Sequence, residues 1–318
     1  MFLEILLFLI GIGLIFKGSD YFVDASVAIG ERARLPRLVI GCTIVSIATT
    51  SPELTVSIIS GVNRVPGLAV GNALGSVAAN IGFILALAAI IKPFKLPQGK
   101  FQQRALIIIG LTLLLFLFTI DLNVPRWRGF ILVIIGIIYL ILDFRRGKKQ
   151  YAAENNNLSG STTSKFNSRR AIIFYFILGL AMVIGGSNLL VNAASNIAEV
   201  LGIPSLFVGL TIVAIGTSLP ELATAIAAVR KNVFDLSVGN LIGANILNLT
   251  LVTGTAASIS PLTLSRMNQL FTFPMVVAIL SVFFFSARSN NEMTRKEGII
   301  LLACYICLIT GSIILNAG

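Results

Sequence analysis

The chain has 318 residues, of which 56% are hydrophobic and 12% are charged, and its mean hydropathy is +0.94. This composition excludes an ordinary soluble domain, because repeated apolar stretches of about 20 residues match the thickness of a bilayer. The net charge of +11 does not indicate nucleic-acid binding, since Lys and Arg concentrate in alternate loops. The chain has no histidine, which excludes histidine metal sites and histidine acid–base catalysis.

The apolar stretches predict an all-α polytopic membrane protein with ten transmembrane helices. The predicted spans cover 2–27, 37–62, 67–91, 103–120, 127–144, 171–199, 205–229, 234–258, 268–287 and 296–316. The cysteines Cys42, Cys304 and Cys307 lie within spans and are interpreted as apolar packing residues. The aspartates Asp121, Asp143 and Asp235 fall at span ends and are expected to be solvated.

The basic residues are distributed asymmetrically between the loops. Nineteen Lys and Arg residues lie in or beside the loops on one side of the predicted membrane, and four lie on the other. The positive-inside rule therefore predicts both termini outside the cell and the central loop, 145–170, in the cytoplasm. That loop is polar and rich in Asn, Ser and Thr, so it is interpreted as a flexible linker rather than a domain.

An internal repeat divides the chain. Residues 18–80 align without a gap with residues 186–248, and 25 of the 63 aligned positions are identical. The repeat predicts two five-helix halves, 1–144 and 171–318, joined by the linker. Because five is odd, the second half enters the membrane from the opposite side. Such inverted-topology repeats are typical of secondary transporters, whose substrate site lies at the midplane between the halves.

The same polar motif interrupts an apolar span in each half. It reads Thr49-Thr50-Ser51-Pro52-Glu53 in the first half, and its counterpart runs over 217–221 with Glu221 at its end. A carboxylate inside a span is costly and indicates a functional site, and proline breaks the helical hydrogen bonding before it. Two copies predict two broken helices that face one site. The alternative for each motif alone is a helix kink with a buried, protonated Glu.

The third span of each half adds further oxygen atoms. Ser76 and Asn80 share one helix face in the first half, as do Ala244 and Asn248 in the second. The combined set of carboxylate, hydroxyl, amide and carbonyl oxygens suits hard cations such as Na⁺ and Ca²⁺ better than Zn²⁺ or Cu⁺. Two carboxylates balance one Ca²⁺, two Na⁺ or two protons, which is a physical basis for exchange. A passive channel or a non-transporting scaffold remains an alternative, and an intramembrane enzyme is disfavoured.

Both copies of the motif, together with the Gly71-Asn72 and Gly239-Asn240 segments, resemble the alpha-repeats of the Ca²⁺/cation antiporter superfamily, in particular prokaryotic sodium/calcium exchangers. The resemblance implies alternating access, with spans 1 and 6 sliding against the other eight. It implies a membrane-embedded transporter of Ca²⁺ and Na⁺ that needs no cofactor and functions as a monomer. The implied ligands are the side chains of Glu53, Glu221, Thr49, Thr50, Ser76, Asn80, Thr217, Ser218 and Asn248 and the backbone carbonyls of Ser46 and Ala214.

Two positions depart from the pattern of the family. Asn248 stands where sodium/calcium exchangers often have Asp, and Ala244 stands where they usually have Ser. The site therefore lacks one negative charge and one hydroxyl oxygen. The expected activity is Ca²⁺ exchange for Na⁺, and exchange of Ca²⁺ or another divalent cation for protons is the alternative.

Overall fold

The computed structural model describes residues 2–63, 66–95, 100–154, 166, 168–200, 214–289 and 292–317. Over these residues the chain is predominantly helical, as the apolar stretches predict. Within the described ranges, eight helices are long and apolar enough to cross a membrane, and a bent pair of helices passes the same test as a ninth span. The protein is therefore a multi-pass helical membrane protein.

The helices of the first half are α1 (Phe2–Ala33), α2 (Arg37–Thr49), α3 (Ser51–Val62), α4 (66–91), α5 (Lys100–Phe118) and α6 (Arg126–Glu154). Those of the second half are α7 (Arg169–Val200), α8 (Ala214–Thr217), α9 (Leu219–Arg230), α10 (Phe234–Ile259), α11 (268–289) and α12 (Arg295–Ala317). π-helical turns occur at Gly41–Val45 in α2, Asn80–Leu85 in α4, Asn248–Val252 in α10 and Asn268–Thr272 in α11.

Nine of the predicted spans coincide with these helices. The remaining span, 205–229, is described only from residue 214, and its residues 205–213 lie outside the described part of the chain. Helix α6 continues to Glu154, so residues 145–154 of the predicted linker are helical. The rest of that linker lies largely outside the described residues.

Helices α1 and α7 form a closely packed pair along their length. A Cβ atom added at Gly18 would lie 2.9 Å from the carbonyl oxygen of Gly179, and one added at Gly186 would lie 2.9 Å from that of Gly11. Small residues let the two backbones approach in this way without a hydrophobic driving force between helices. The outer surface of the pair is apolar and exposed, as a lipid-facing surface requires.

The centre of the protein is built on α4 and α10, the most enclosed of the spanning helices. Their buried side chains, among them Ile81 and Leu249, pack with Leu115 of α5 and with Phe273 and Phe283 of α11. This single apolar core surrounds the third span of each repeat. The polar residues of those two helices are thus surrounded by closely packed apolar side chains.

Two short antiparallel ribbons join loops of the two halves. Strand β1 (Phe94–Lys95) pairs with β4 (Glu292–Met293), and β2 (Asn123–Val124) pairs with β3 (Leu262–Thr263). Strands β1 and β3 are 168 residues apart, which is the same offset as the internal repeat. The all-α prediction did not include these ribbons, because two-residue strands carry no detectable alternating pattern.

The aspartates at the span ends do not share one environment. Asp121 is half-exposed, and the Arg128 guanidinium, 2.7 Å away, holds the pKa of its carboxyl below the usual range. Asp235 is exposed. The expectation that Asp143 is solvated is wrong, because Arg104 Nη2 donates to Asp143 Oδ1 at 2.6 Å and both side chains are buried. Two charges at the ends of apolar helices pair because an unpaired buried charge is far more costly.

Helix α2 crosses α10 at very short range. A Cβ atom added at Gly239 would collide with the carbonyl oxygen of Leu38, and one added at Gly243 would lie 2.5 Å from both Cys42 O and Ser46 Oγ. Gly239 and Gly243 therefore allow the two helix backbones to approach closely. A Cβ atom added at Gly71 or Gly75 would meet no described atom within 4 Å.

We predict that Gly243→Ala destabilises the protein by about 1–3 kcal/mol, because the added methyl group meets backbone atoms that cannot move aside. The thermal unfolding midpoint in detergent should fall by several degrees. Gly110→Ala is the matched control, since an added Cβ there meets no described atom within 4 Å. Equal midpoints for the two variants would contradict the prediction.

Candidate functional site

Each repeated motif forms a break between two helices. Helix α2 ends at Thr49 and α3 begins at Ser51, with a bend of 46° between them. In the second half α8 ends at Thr217 and α9 begins at Leu219. The predicted breaks at both motifs are thus confirmed. Proline is the second residue of α3 and of α9, where it fits because its missing N–H has no helical partner in any case.

The two carboxylates occupy equivalent places, in the first turns of α3 and α9. Glu53 and Glu221 are each 1% exposed. The positive end of each helix dipole faces them, which favours negative charge. When both are ionised they repel, so a cation between them would be stabilised by both.

The third spans bring their amide residues to the same place. The π-helical turn of α4 begins at Asn80, and that of α10 begins at Asn248. The contacts cross between halves, since α3 with Glu53 packs on the π-helical turn at Asn248, and α9 with Glu221 packs on that at Asn80. Such turns are frequent at functional sites, because they leave backbone carbonyls without their usual partners.

Most of the predicted site residues are enclosed at this junction. Those described as buried are Ser46, Thr49, Thr50, Glu53, Ser76, Asn80, Ser218, Glu221 and Asn248. Thr217 is half-buried, and for Ala214 only the backbone is described. The carbonyl of Ser46 accepts the N–H of Thr50 at 2.9 Å, so one of its two lone pairs is already used within the helix.

Six buried oxygen atoms of the site have no hydrogen-bond partner among the described residues. They are Thr50 Oγ1, Glu53 Oε2, Asn80 Oδ1, both carboxylate oxygens of Glu221 and Asn248 Oδ1. Buried oxygens without partners cost free energy, and their concentration at one junction requires an explanation. A hard cation with six to eight oxygen ligands satisfies them together.

A hydrogen-bonded chain of three residues ties the halves together beside these oxygens. Thr49 Oγ1 donates to Asn240 Oδ1 at 3.0 Å, and Asn240 Nδ2 donates to Thr224 Oγ1 at 3.1 Å. All three side chains are buried. This hydrogen-bond network uses the hydroxyl hydrogen of Thr49. The lone pairs of the hydroxyl oxygen stay available to a cation.

A second bond between the halves orients one amide. Asn80 Nδ2 donates to Asn245 Oδ1 at 2.9 Å, which leaves Asn80 Oδ1 as the unpartnered atom. The corresponding position in the first repeat is Val77, so Asn248 has no equivalent partner. The two repeat-related amides are therefore held differently.

Three polar residues of this junction were absent from the predicted ligand set. Asn240 could have been found, because the repeat pairs it with Asn72, whose Nδ2 lies 3.4 Å from the carbonyl of Glu53. Thr224 and Asn245 are aligned with valines in the repeat, so the internal repeat does not mark them as polar residues of the site. Over the described residues no group of three His, Cys, Asp or Glu side chains is placed to hold a metal, so the two Glu residues are the acids of this junction.

These features define a multi-pass membrane protein with an oxygen-lined site at the meeting of two broken helices. The family model for the sodium/calcium exchanger protein matches residues 3–145 and 171–314. The chain belongs to the sodium/calcium exchanger family, and it is accordingly a cation antiporter.

Individual relatives match over nearly the whole length. The chain is similar to the sodium/calcium exchanger MaX1 of Methanosarcina acetivorans, with 28% identity over 96% of this chain and 97% of the relative. It is also similar to the inner membrane protein YrbG of Escherichia coli, with 31% identity over 96% and 95%. A solved structure of the sodium-calcium exchanger NCX_Mj, soaked with Na⁺ and Sr²⁺, superposes with a TM-score of 0.84 at 30% identity, covering 97% of this chain and 98% of that one.

We predict that Thr224→Val destabilises the protein by about 1–3 kcal/mol, because it leaves the amide of Asn240 buried without an acceptor. Unfolding in denaturant or by heat, in detergent, measures the effect. Thr55→Val is the matched control, since the Thr55 hydroxyl is exposed and bonds only within its own helix. A loss of stability in Thr55→Val as large as that in Thr224→Val would contradict the prediction.

Proposed function

We propose that the protein exchanges Ca²⁺ for Na⁺ across the cell membrane by alternating access. The ten-span architecture consists of two inverted five-helix halves, 1–144 and 171–318, with the linker on the cytoplasmic side and both termini outside. The ions bind in turn at the junction of the two breaks, at the membrane midplane. Membership of the family and the resemblance of both motifs support this assignment.

One observation carries the choice of cargo. The six unpartnered oxygens come from two carboxylates, two amides and a hydroxyl, with neither sulfur nor imidazole in the set. This donor set matches Ca²⁺ and Na⁺. Ser76, Thr49, Thr217, Ser218 and the carbonyls of Ser46 and Ala214 complete the proposed coordination. The chemistry is binding and release of ions, and no covalent step or cofactor is involved.

Alternating access follows from the placement of the carboxylates. An ion-free site leaves Glu53 and Glu221 buried, mutually repelling and without a cation, which is unfavourable in a low-dielectric interior. The protein therefore switches the ion site from one side of the membrane to the other readily only when a cation neutralises the two carboxylates. One Ca²⁺ or two monovalent cations meet this condition equally, and this equivalence couples the two ion flows.

We predict that Glu53→Gln and Glu221→Gln each reduce Ca²⁺ uptake by about 100-fold or more, because removing one of two charges that hold a buried ion costs about 3–5 kcal/mol. Proteoliposomes loaded with Na⁺, diluted into Na⁺-free buffer at equal pH on both sides, report uptake of radioactive Ca²⁺. Glu31→Gln is the control, because Glu31 forms only a 3.9 Å ion pair with Arg37 near the surface. Full activity in either site variant would remove the basis of the proposal.

Exchange of Ca²⁺ or another divalent cation for protons is the second candidate. Asn248 and Ala244 favour it, because they withhold a carboxylate and a hydroxyl that would serve additional Na⁺ ions. The same proteoliposomes separate the two candidates. Uptake that ignores the Na⁺ gradient and follows an imposed pH gradient would select protons as the driving ion.

We further predict that exchange is electroneutral, with two monovalent ions for each Ca²⁺, because the site holds two carboxylates. Clamping the membrane potential with K⁺ and valinomycin should leave the final Ca²⁺ gradient unchanged. An exchanger of three monovalent ions would shift that gradient by about 50-fold for each 100 mV. The double variant Asn248→Asp with Ala244→Ser adds the missing charge and hydroxyl and should introduce a voltage dependence.

A further inference from the structure

A second polar cluster lies apart from the ion site, in a cavity of about 410 Å³ between α5 and α6 beside the first turn of α2. Its polar wall is the buried ion pair of Arg104 and Asp143, with Tyr139 next to it. Three atoms of this wall are buried and have no hydrogen-bond partner among the described residues: Arg104 Nε, Tyr139 OH and Asp143 Oδ2. The ion pair therefore uses only part of the hydrogen-bonding capacity of Arg104 and of Asp143.

The rest of the cavity is apolar and reaches the lipid-facing surface. Ile107 and Ile135 line its inner part, and Ile138 and Leu142 line it while being 49% and 42% exposed. Arg146 and Gln103 stand at its polar end, and both are exposed. A polar end joined to an apolar wall that opens to the bilayer fits an amphiphile better than a free ion or a soluble metabolite.

The charges of the polar end specify the headgroup. Arg104 and Arg146 are positive, and Asp143 lies on the same wall with a free carboxylate oxygen. A phosphate diester accepts hydrogen bonds from guanidinium groups, and a primary ammonium donates a charge-assisted bond to a carboxylate. A headgroup that carries a phosphate but no ammonium group would place a second negative charge beside Asp143.

We propose that this cavity binds a phospholipid with a phosphoethanolamine headgroup. The phosphate lies between the guanidinium groups of Arg104 and Arg146, the ammonium lies beside the carboxylate of Asp143, and an acyl chain follows Ile138 and Leu142 into the bilayer. The cavity belongs to the membrane face that carries most of the Lys and Arg residues, which the charge distribution predicts to be cytoplasmic. The bound lipid also touches Val39 of α2, the helix that leads to the ion site.

Native mass spectrometry of the purified full chain tests the proposal. The protein in detergent is offered an equimolar mixture of phosphatidylethanolamine, phosphatidylcholine and phosphatidylglycerol with identical acyl chains. We expect the phosphatidylethanolamine adduct to exceed each of the others by about tenfold, because choline cannot donate to Asp143 and phosphatidylglycerol carries no cation. Equal retention of the three lipids would overturn the proposal.

Three variants locate the binding. Arg146→Gln should reduce the phosphatidylethanolamine adduct several-fold, whereas Arg145→Gln should not, because Arg145 lines a different groove of α6 beside Thr43. Both arginines are exposed, so folding is not at stake. Asp143→Asn, where it folds, should bring phosphatidylethanolamine down to the level of phosphatidylcholine. An equal loss in Arg145→Gln and Arg146→Gln would place the lipid elsewhere and refute the assignment.

Discussion

The burial of two carboxylates in the protein interior is the constraint on which the rest of this structure depends. Glu53 and Glu221 are almost fully buried, and each stands in the first turn of a helix whose predecessor has just ended. A continuous helix would use its own backbone groups and offer nothing to an ion. The breaks instead turn helix ends, hydroxyls and amides toward the same point, which is acceptable at this depth only because protein surrounds them. The tight core around α4 and α10 is thus a requirement of the site.

The two halves share a scaffold but do not hold their polar groups alike. The bonds from Thr49 to Asn240 and from Asn80 to Asn245 both join a residue of the first half to one of the second. The bond from Asn80 to Asn245 has no repeat-related counterpart, since the repeat places Val77 opposite Asn245. The near-symmetry therefore belongs to the backbone. The asymmetry belongs to the side chains, which fix one amide and leave the other unrestrained by the opposite half.

The sequence predicts much of this arrangement because the repeat is visible in residue identities. Span positions, both helix breaks and the burial of the two Glu residues all follow from apolar length and from a motif that occurs twice. The pairing of Asp143 with Arg104 does not follow, because the two residues lie on different helices and each alone resembles an interfacial charge. Asn245 is missed for a related reason, since its partner depends on how the halves face each other. Long-range polar pairs of this kind are decided by tertiary packing, which local patterns do not contain.

The glycines of α10 connect the packing of the helices to the geometry of the site. Helix α2 approaches α10 so closely that a Cβ at Gly243 would lie 2.5 Å from Cys42 O. The Thr49 hydroxyl at the end of α2 reaches Asn240 of α10 at 3.0 Å. A side chain between the helices would separate them by more than a hydrogen bond can span, since such bonds weaken steeply beyond about 3.2 Å. The small residues therefore do more than permit packing. They set the distance at which a side chain of one half can form a hydrogen bond with a side chain of the other.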